Sequence, residues 1–133
     1  MATNKKLGNT FEAEFCEMMF EHGFWVHNMA QNQAGQPADV IAVKNNKAWL
    51  VDCKVCSDKT FPISRIEENQ HLSMELWKES GNGEGWFALK VEGHVFMIPH
   101  FTMKALSHEK TTLNLNDIVE YGTLFEKWVK KCK

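Results

Sequence analysis

The chain has 133 residues and a formal net charge of −2, which suits one domain and is short for two. Its 44% hydrophobic and 11% aromatic content is enough to fill a core and excludes a disordered chain. No apolar run is long enough to span a membrane, and the first residues lack the apolar segment of a secretory signal. We therefore expect one domain over residues 1–133, in the cytoplasm and without a membrane partner.

Hydrophobic spacing and turn residues divide the chain into helices and strands. Phe11, Phe15 and Met19 recur at helical spacing, and Gly23 ends that first helix. The predicted helices are 9–22, 66–79, 102–106 and 124–131, and the predicted strands are 24–28, 38–43, 47–55, 86–91 and 94–98. The order αβββαββαα predicts an α/β fold in which helices flank a mixed central β-sheet.

The remaining segments are polar. Residues 1–8 are expected to be a flexible start, and residues 29–37 a turn or loop rich in Gln, Asn and Gly. Asn45-Asn46 predicts a tight turn that joins the second and third strands into a hairpin.

Two carboxylates and a lysine meet in this hairpin. Side chains alternate along a strand, so Asp52 and Lys54 lie on one face, and an antiparallel neighbour can bring Asp39 within reach of Asp52. Paired carboxylates in a half-buried sheet repel each other, and a hard divalent cation such as Mg²⁺ or Mn²⁺ resolves that conflict. The backbone carbonyl of Cys53 can supply a further oxygen ligand, and Lys54 then stands beside the metal. The alternative is a surface hairpin with an ordinary salt bridge.

The first helix offers a third acid. Glu14, Glu17 and Glu21 share one face, as expected of solvated glutamates, whereas Glu12 lies beside the apolar stripe. A carboxylate in that position is explained by a water-mediated contact to the metal. The alternative is a partly exposed glutamate favoured by the helix dipole.

The four cysteines are Cys16, Cys53, Cys56 and Cys132. Cys53 and Cys56 form a single C-x-x-C that no second pair completes into a zinc site. We expect reduced, structural thiols.

Gly8 to Glu12, Pro37-Ala38-Asp39, Val51-Asp52-Cys53-Lys54 and then Gln70, in this order and spacing, resemble the PD-(D/E)xK nuclease superfamily. Within it the sequence is most similar to the Holliday-junction resolvases of archaea, bacteria and their viruses, over roughly residues 7–101. The resemblance implies a restriction-endonuclease-like core and a bacterial, archaeal or virus-infected host cell.

The resemblance also implies roles for individual residues. Asp39 and Asp52 would bind Mg²⁺ or Mn²⁺ directly, Glu12 would act through its water shell, Lys54 would position the nucleophile, and Gln70 would support the water or the lysine. The implied reaction is hydrolysis of DNA phosphodiesters, with paired symmetric cuts in a four-way junction by a homodimer. The candidate DNA-binding residues are Lys5, Lys6, Asn9, Gln33, Lys59 and Arg65.

Two alternatives remain open at this stage. One is a general or end-processing nuclease of the same fold, and the other is a non-catalytic nucleic-acid-binding module. Only one of the 15 basic residues is an arginine, so most phosphate contacts would fall to lysine.

Overall fold

A computed structural model describes residues 4–29 and 38–132, with side chains from residue 10 onward. Within this part of the chain the helices are α1 (Asn4–Glu21), α2 (Glu68–Glu79), α3 (His100–Ser107), α4 (Leu115–Tyr121) and α5 (Phe125–Lys131), with a 3-10 helix at Ile63–Arg65. The strands are β1 (Trp25–Asn28), β2 (Val40–Lys44), β3 (Lys47–Val55), β4 (Phe61–Pro62), β5 (Trp86–Val91), β6 (His94–Pro99), β7 (Thr112–Leu113) and β8 (Thr123–Leu124).

The main sheet has six strands in the order β1-β2-β3-β5-β6-β8. Only the central pair, β3 and β5, is parallel, and the other pairs are antiparallel. The connection between the parallel strands contains α2, as a crossover between parallel strands requires. Strands β4 and β7 form a separate two-stranded sheet.

Each face of the sheet has its own apolar core, because consecutive side chains point to opposite faces. Val51 and Cys53 face the layer of α1 and α5, where they pack with Phe15, Phe125 and Trp128. The opposite face packs against α2, α3 and α4 through residues such as Leu50, Phe87, Met74, Met103 and Ile118. The predicted α/β architecture, a mixed sheet flanked by helices, is therefore confirmed.

The residues at the predicted turns have the backbone conformations that their residue types favour. Asn45 and Asn46 have φ values of 53° and 65°, in the left-handed region that a two-residue hairpin requires and asparagine tolerates. Gly23, with φ of 86°, follows α1 where a left-handed residue ends a helix.

All nine predicted elements are present, with shifted ends. The largest shift is in α1, which begins at Asn4, so the backbone of residues 4–8 is helical, and the flexibility expected of residues 1–8 stays a prediction. The predicted loop 29–37, which includes Gln33, lies almost entirely outside the described residues. Across the described helices, none is long and apolar enough to cross a membrane.

The sequence prediction missed α4 and the two-residue strands. Helix α4 begins at a reciprocal cap: Asn114 accepts a hydrogen bond from the Asp117 amide at 2.9 Å, and Asp117 accepts one from the Asn114 amide at 3.0 Å. This Asn-x-x-Asp pattern is a helix-start signal that can be read from sequence. Two-residue strands carry no periodicity and cannot be found in this way.

The end of α4 gives a stability prediction. A Cβ at Gly122 would lie 2.6 Å from the carbonyl oxygen of Ile118 and 3.0 Å from the Cβ of Phe96, whereas at Gly83 it would meet nothing within 4 Å. Gly122→Ala should therefore lower the free energy of unfolding by roughly 1–3 kcal/mol, and Gly83→Ala should change it little. Urea unfolding of both variants measures this. Equal stability of the two variants would contradict the packing at Gly122.

Candidate active site

The site forms where β3 continues past its neighbour. The last β2–β3 pair joins Val40 to Val51, and the Asp39 amide still donates to the Val51 carbonyl at 3.2 Å. Beyond this point, within the described residues, β2 supplies no partner for β3, which continues to Val55. Backbone groups of β3 that point towards β2 therefore need other partners.

Two side chains form hydrogen bonds with these backbone groups of β3. Asp39 Oδ2 accepts a hydrogen bond from the Cys53 amide at 2.7 Å, and Arg65 Nη1 donates to the Val55 carbonyl at 2.6 Å. The amide and the carbonyl of one strand residue point to the same edge of the strand. Because the Cys53 amide points to the edge where β2 has ended, the Cys53 carbonyl points there too. Asp39, the predicted first acid, is thus fixed beside the backbone of the predicted carbonyl ligand.

Asp52 is fully buried, at 0% exposure, and faces the α2 layer. Gln70 Nε2 donates to Asp52 Oδ1 at 3.1 Å. Lys54 Nζ lies 3.2 Å from Oδ2, an ion-pair distance, but without the geometry of a hydrogen bond, so Oδ2 is a buried oxygen that accepts none. Burial, and secondly the negative charge of Asp39, raise the pKa of Asp52 well above its ordinary value, against the opposing charge of Lys54.

These features fit a hard divalent cation. A buried carboxylate oxygen without a donor, a second carboxylate next to it and a backbone carbonyl on the same strand are the oxygen ligands such a cation prefers. Among the described residues, no three His, Cys, Asp or Glu side chains form a ready-made metal centre.

Glu12 reaches the same region from the other layer. Its side chain is 5% exposed, and Cys16 lies one helical turn further along α1. Burial raises the pKa of Cys53, and the negative charges of Asp39, Asp52 and Glu12 raise it further. The pKa of Cys16 rises to about 11 through burial and then through Glu12 and Asp39. Glu12 is therefore near enough to the Cys16 and Cys53 thiols to act on both from the α1 side, while Gln70 approaches Asp52 from the α2 side.

The neighbouring glutamates behave differently. Glu17 and Glu21 are exposed, as expected of a solvated face. Glu14 is half-buried and pairs with Lys90 at 2.9 Å.

Gln70 is held towards Asp52, and the support of the water or the lysine expected of it stays a prediction. Its Oε1 accepts a hydrogen bond from the Glu67 amide at 3.1 Å, which fixes its Nε2 towards Asp52 and not towards Lys54. A second contact positions the helix: His71 Nδ1 and His100 Nε2 are 3.0 Å apart, linking α2 to α3 one residue from Gln70. Burial lowers the pKa of both imidazoles, which favours the neutral forms that this contact requires. Sequence spacing could not reveal this long-range pair.

The DNA-binding residues remain predictions. Lys59 is exposed and lies 3.4 Å from Glu92. Arg65 is exposed, but its guanidinium also stacks over Phe61 at 5.5 Å, so part of its role is structural. The side chains of Lys5, Lys6 and Asn9, and all of Gln33, lie outside the described residues.

The C-x-x-C does not converge on a site. Cys53 packs in the α1-side core and Cys56 against the α2-side core, and all four thiols are free. This agrees with the structural role expected of them.

The fold and this arrangement of acids and lysine define a metal-dependent nuclease of the PD-(D/E)xK class. The sequence model of the archaeal Holliday junction resolvases, Hjc, matches residues 3–133, and the chain belongs to that family. It is accordingly a metal-dependent endonuclease that resolves Holliday junctions.

A solved structure supports the fold. Hjc of Archaeoglobus fulgidus, a Holliday junction resolvase from an archaeal hyperthermophile, is similar with a TM-score of 0.69 at 15% sequence identity, over 92% of this chain and 95% of the other. A comparison with curated protein sequences gave no match.

The buried carboxylate predicts a pH-dependent stability. The folded metal-free protein holds the Asp52 proton more tightly than the unfolded chain, whose aspartate pKa is about 3.9. Stability is therefore lost as the pH rises from that value through the raised pKa of the folded state. Asp52→Asn removes this loss, so with a chelator present the variant should unfold at higher urea than the wild type at pH 8, and the difference should shrink towards pH 4. A wild type that is more stable than the variant at every pH would contradict the raised pKa.

The position of Glu12 predicts a catalytic defect. Glu12→Gln should slow cleavage by roughly 10–100-fold, as expected for a residue that orients metal ligands or water. Glu17→Gln, an exposed substitution on the same helix, is the matched control and should cleave at the wild-type rate. Single-turnover cleavage of a four-way junction measures both, and equal rates would remove Glu12 from the site.

Proposed function

We propose that the carboxylates of Asp39 and Asp52 and the carbonyl of Cys53 bind Mg²⁺, or Mn²⁺ in its place, and that two copies of this site cut two opposed strands of a four-way junction, one strand each. The observation that carries the proposal is the fully buried Asp52 carboxylate, whose pKa is raised by burial and by the charge of Asp39 and whose Oδ2 lies 3.2 Å from Lys54 Nζ. When bound, the cation would act as a Lewis acid on phosphate and water. We assign the remaining steps to residues of the chain.

Lys54 is the residue placed to act on the phosphate. Its side chain is 16% exposed while that of Asp52 is 1% exposed, so the ammonium group lies between the buried acid and solvent. From there it can orient a water molecule and offset the charge that grows on the phosphate oxygens. Gln70 acts as a positioning residue, because its hydrogen bond holds one oxygen of Asp52 and leaves the other for the cation.

Glu12 acts from the opposite side of β3. Since its helix packs on the Cys53 face, its carboxylate reaches the metal region past the Cys53 side chain. A contact through water suits that placement, and a carboxylate there can hold or accept a proton from such a water.

Two symmetric cuts require two sites, and the described residues of the chain form one. We therefore propose a homodimer. The surface that supports it is the outer side of α2 and α3, where Leu72, Leu76 and Phe101 are 55%, 62% and 70% exposed. Leu72 and Leu76 lie one turn apart on α2, the helix that also carries Gln70, so a second copy here would couple the dimer directly to the catalytic layer.

The place of action follows from the substrate. Because the enzyme acts on DNA junctions, we propose that it works in the cytoplasm of a bacterial, archaeal or virus-infected cell.

One cleavage assay tests the residue roles. Wild type, Asp39→Asn, Asp52→Asn and Lys54→Ala are each incubated with Mg²⁺ and a four-way junction or a matched linear duplex. The wild type should cut the junction in paired positions and the duplex poorly, both Asn variants should be inactive, and Lys54→Ala should be slower by orders of magnitude. Lys78→Ala is the matched control, because this exposed lysine pairs with Glu84 at 2.9 Å. A fully active Asp52→Asn protein would overturn the site.

Light scattering of wild type and Leu76→Glu tests the dimer. A charge in an apolar interface should convert the dimer to monomer and uncouple the paired cuts, while the single-site chemistry persists. A wild type that is monomeric and cuts junction and duplex equally would eliminate paired symmetric cutting and leave the nuclease site standing.

A further inference from the structure

The surface lysines of the described residues fall into two groups. Five of them form ion pairs with carboxylates: Lys59 with Glu92, Lys78 with Glu84, Lys90 with Glu14, Lys104 with Glu75 and Lys110 with Asp117. Five others have no carboxylate at ion-pair distance within the described part of the chain: Lys44, Lys47, Lys127, Lys130 and Lys131.

The unpaired group is gathered at one end of the molecule. Lys44 and Lys47 flank the β2–β3 turn, where they are register partners. The other three occupy the exposed side of α5, whose opposite side is buried. The two sets lie near each other, because Lys44 donates to the His22 carbonyl at 2.8 Å and the His22 ring contacts Phe125, the first residue of α5, with 5.7 Å between the ring centroids. The positive charges of Lys44 and Lys47 also oppose the rise that burial gives to the pKa of Cys132, the residue after α5. We call these five residues the hairpin–α5 lysine patch.

Local structure explains only part of the patch. Lys44 donates to the His22 carbonyl at the end of α1 at 2.8 Å, and Lys130 and Lys131 lie in the last turn of α5, where positive charge offsets the helix dipole. Lys47 and Lys127 have no such role. Glu21 of α1 and Glu126 of α5 are both exposed, and Glu84 lines the same surface cleft as Lys47. None of the three forms an ion pair with the patch in the described structure, and Glu84 pairs with Lys78. The region therefore has an excess of positive charge in a chain whose net charge is −2.

The patch is remote from the catalytic residues. Lys47 is the first residue of β3 and Asp52 follows five residues later, a separation of about 17 Å along an extended strand. That distance is too long for contact with the phosphate being cut, and it corresponds to about five base pairs of duplex at roughly 3.4 Å per pair. A second stretch of phosphates can therefore reach the patch while the first occupies the site.

We propose that the hairpin–α5 lysine patch is a second DNA-binding surface, which binds the phosphate backbone of a junction arm away from the cleaved bond. The proposal rests on a DNA junction as the substrate. Free lysines suit sequence-independent phosphate contacts, since they act as mobile point charges. Such a surface contributes to binding the junction, and it leaves the chemistry at Asp52 and Lys54 unchanged.

Charge substitution on and off the patch tests this. The patch variant combines Lys47→Gln, Lys127→Gln and Lys131→Gln, and the control combines Lys78→Gln, Lys104→Gln and Lys110→Gln, which changes the net charge equally but at ion-paired lysines. Fluorescence anisotropy with a four-way junction, Ca²⁺ in place of Mg²⁺ and a salt series gives the affinity of each. Light scattering confirms that both variants keep the wild-type oligomeric state.

The patch variant should bind at least about tenfold more weakly at about 0.1 M salt, and its log–log salt slope should fall by about two to three. The control should stay near the wild-type values, and both variants should cleave at the wild-type rate when protein is saturating. Equal weakening in the two variants, which would mean that only net charge matters, overturns the proposal. Unchanged binding by the patch variant also overturns it and would leave the surface for another kind of partner, such as an acidic protein. Loss of cleavage in Asp52→Asn is independent of either result.

Discussion

The buried carboxylate of Asp52 is the constraint around which this molecule is arranged. A charged group with 0% exposure is unfavourable unless its oxygens are satisfied, and here one oxygen receives Gln70 while the other receives no hydrogen bond. The neighbouring elements supply the groups that surround this carboxylate. Strand β3 continues past β2, α2 brings Gln70 to one face and α1 brings Glu12 to the other. A divalent cation bound here would offset the repulsion between the Asp52 and Asp39 carboxylates.

The two sides of β3 contribute different parts of the same site. The α2 layer fixes the position of Asp52 through an amide that the Glu67 backbone orients, and the His71–His100 contact links that helix to α3. The α1 layer contributes an acid near the Cys53 side chain and the Asp39 carboxylate. Because both layers also form the two apolar cores, the stability of the fold and the geometry of the site depend on the same contacts. The proposed dimer surface on α2 and the proposed DNA-binding lysine patch at the far end of β3 would extend this site towards a second copy and a second stretch of DNA.

Much of this could be predicted from the sequence, and the reasons are local. Alternation along β3 placed Asp52 and Lys54 on one face, the Asn45-Asn46 turn set the hairpin, and the apolar stripe of α1 separated Glu12 from Glu17. Long-range partners could not be predicted in the same way. The hydrogen bond that the Gln70 amide donates to Asp52 depends on how α2 packs. The same holds for the His71–His100 contact and for the lysine patch, which joins residues far apart in sequence. The Asn-x-x-Asp cap that begins α4 is a local signal in the sequence, and the sequence prediction missed it.

The account rests on a cation site that needs Asp52 as a ligand and Lys54 only as a neighbour. Isothermal titration calorimetry with Mn²⁺ on wild type, Asp52→Asn and Lys54→Ala tests this directly, with urea unfolding to confirm that each variant is folded. Wild type and Lys54→Ala should bind the metal, and Asp52→Asn should show no binding at the same concentrations. A folded Asp52→Asn protein that binds Mn²⁺ as well as the wild type, or a folded Lys54→Ala protein that binds none, would contradict the account.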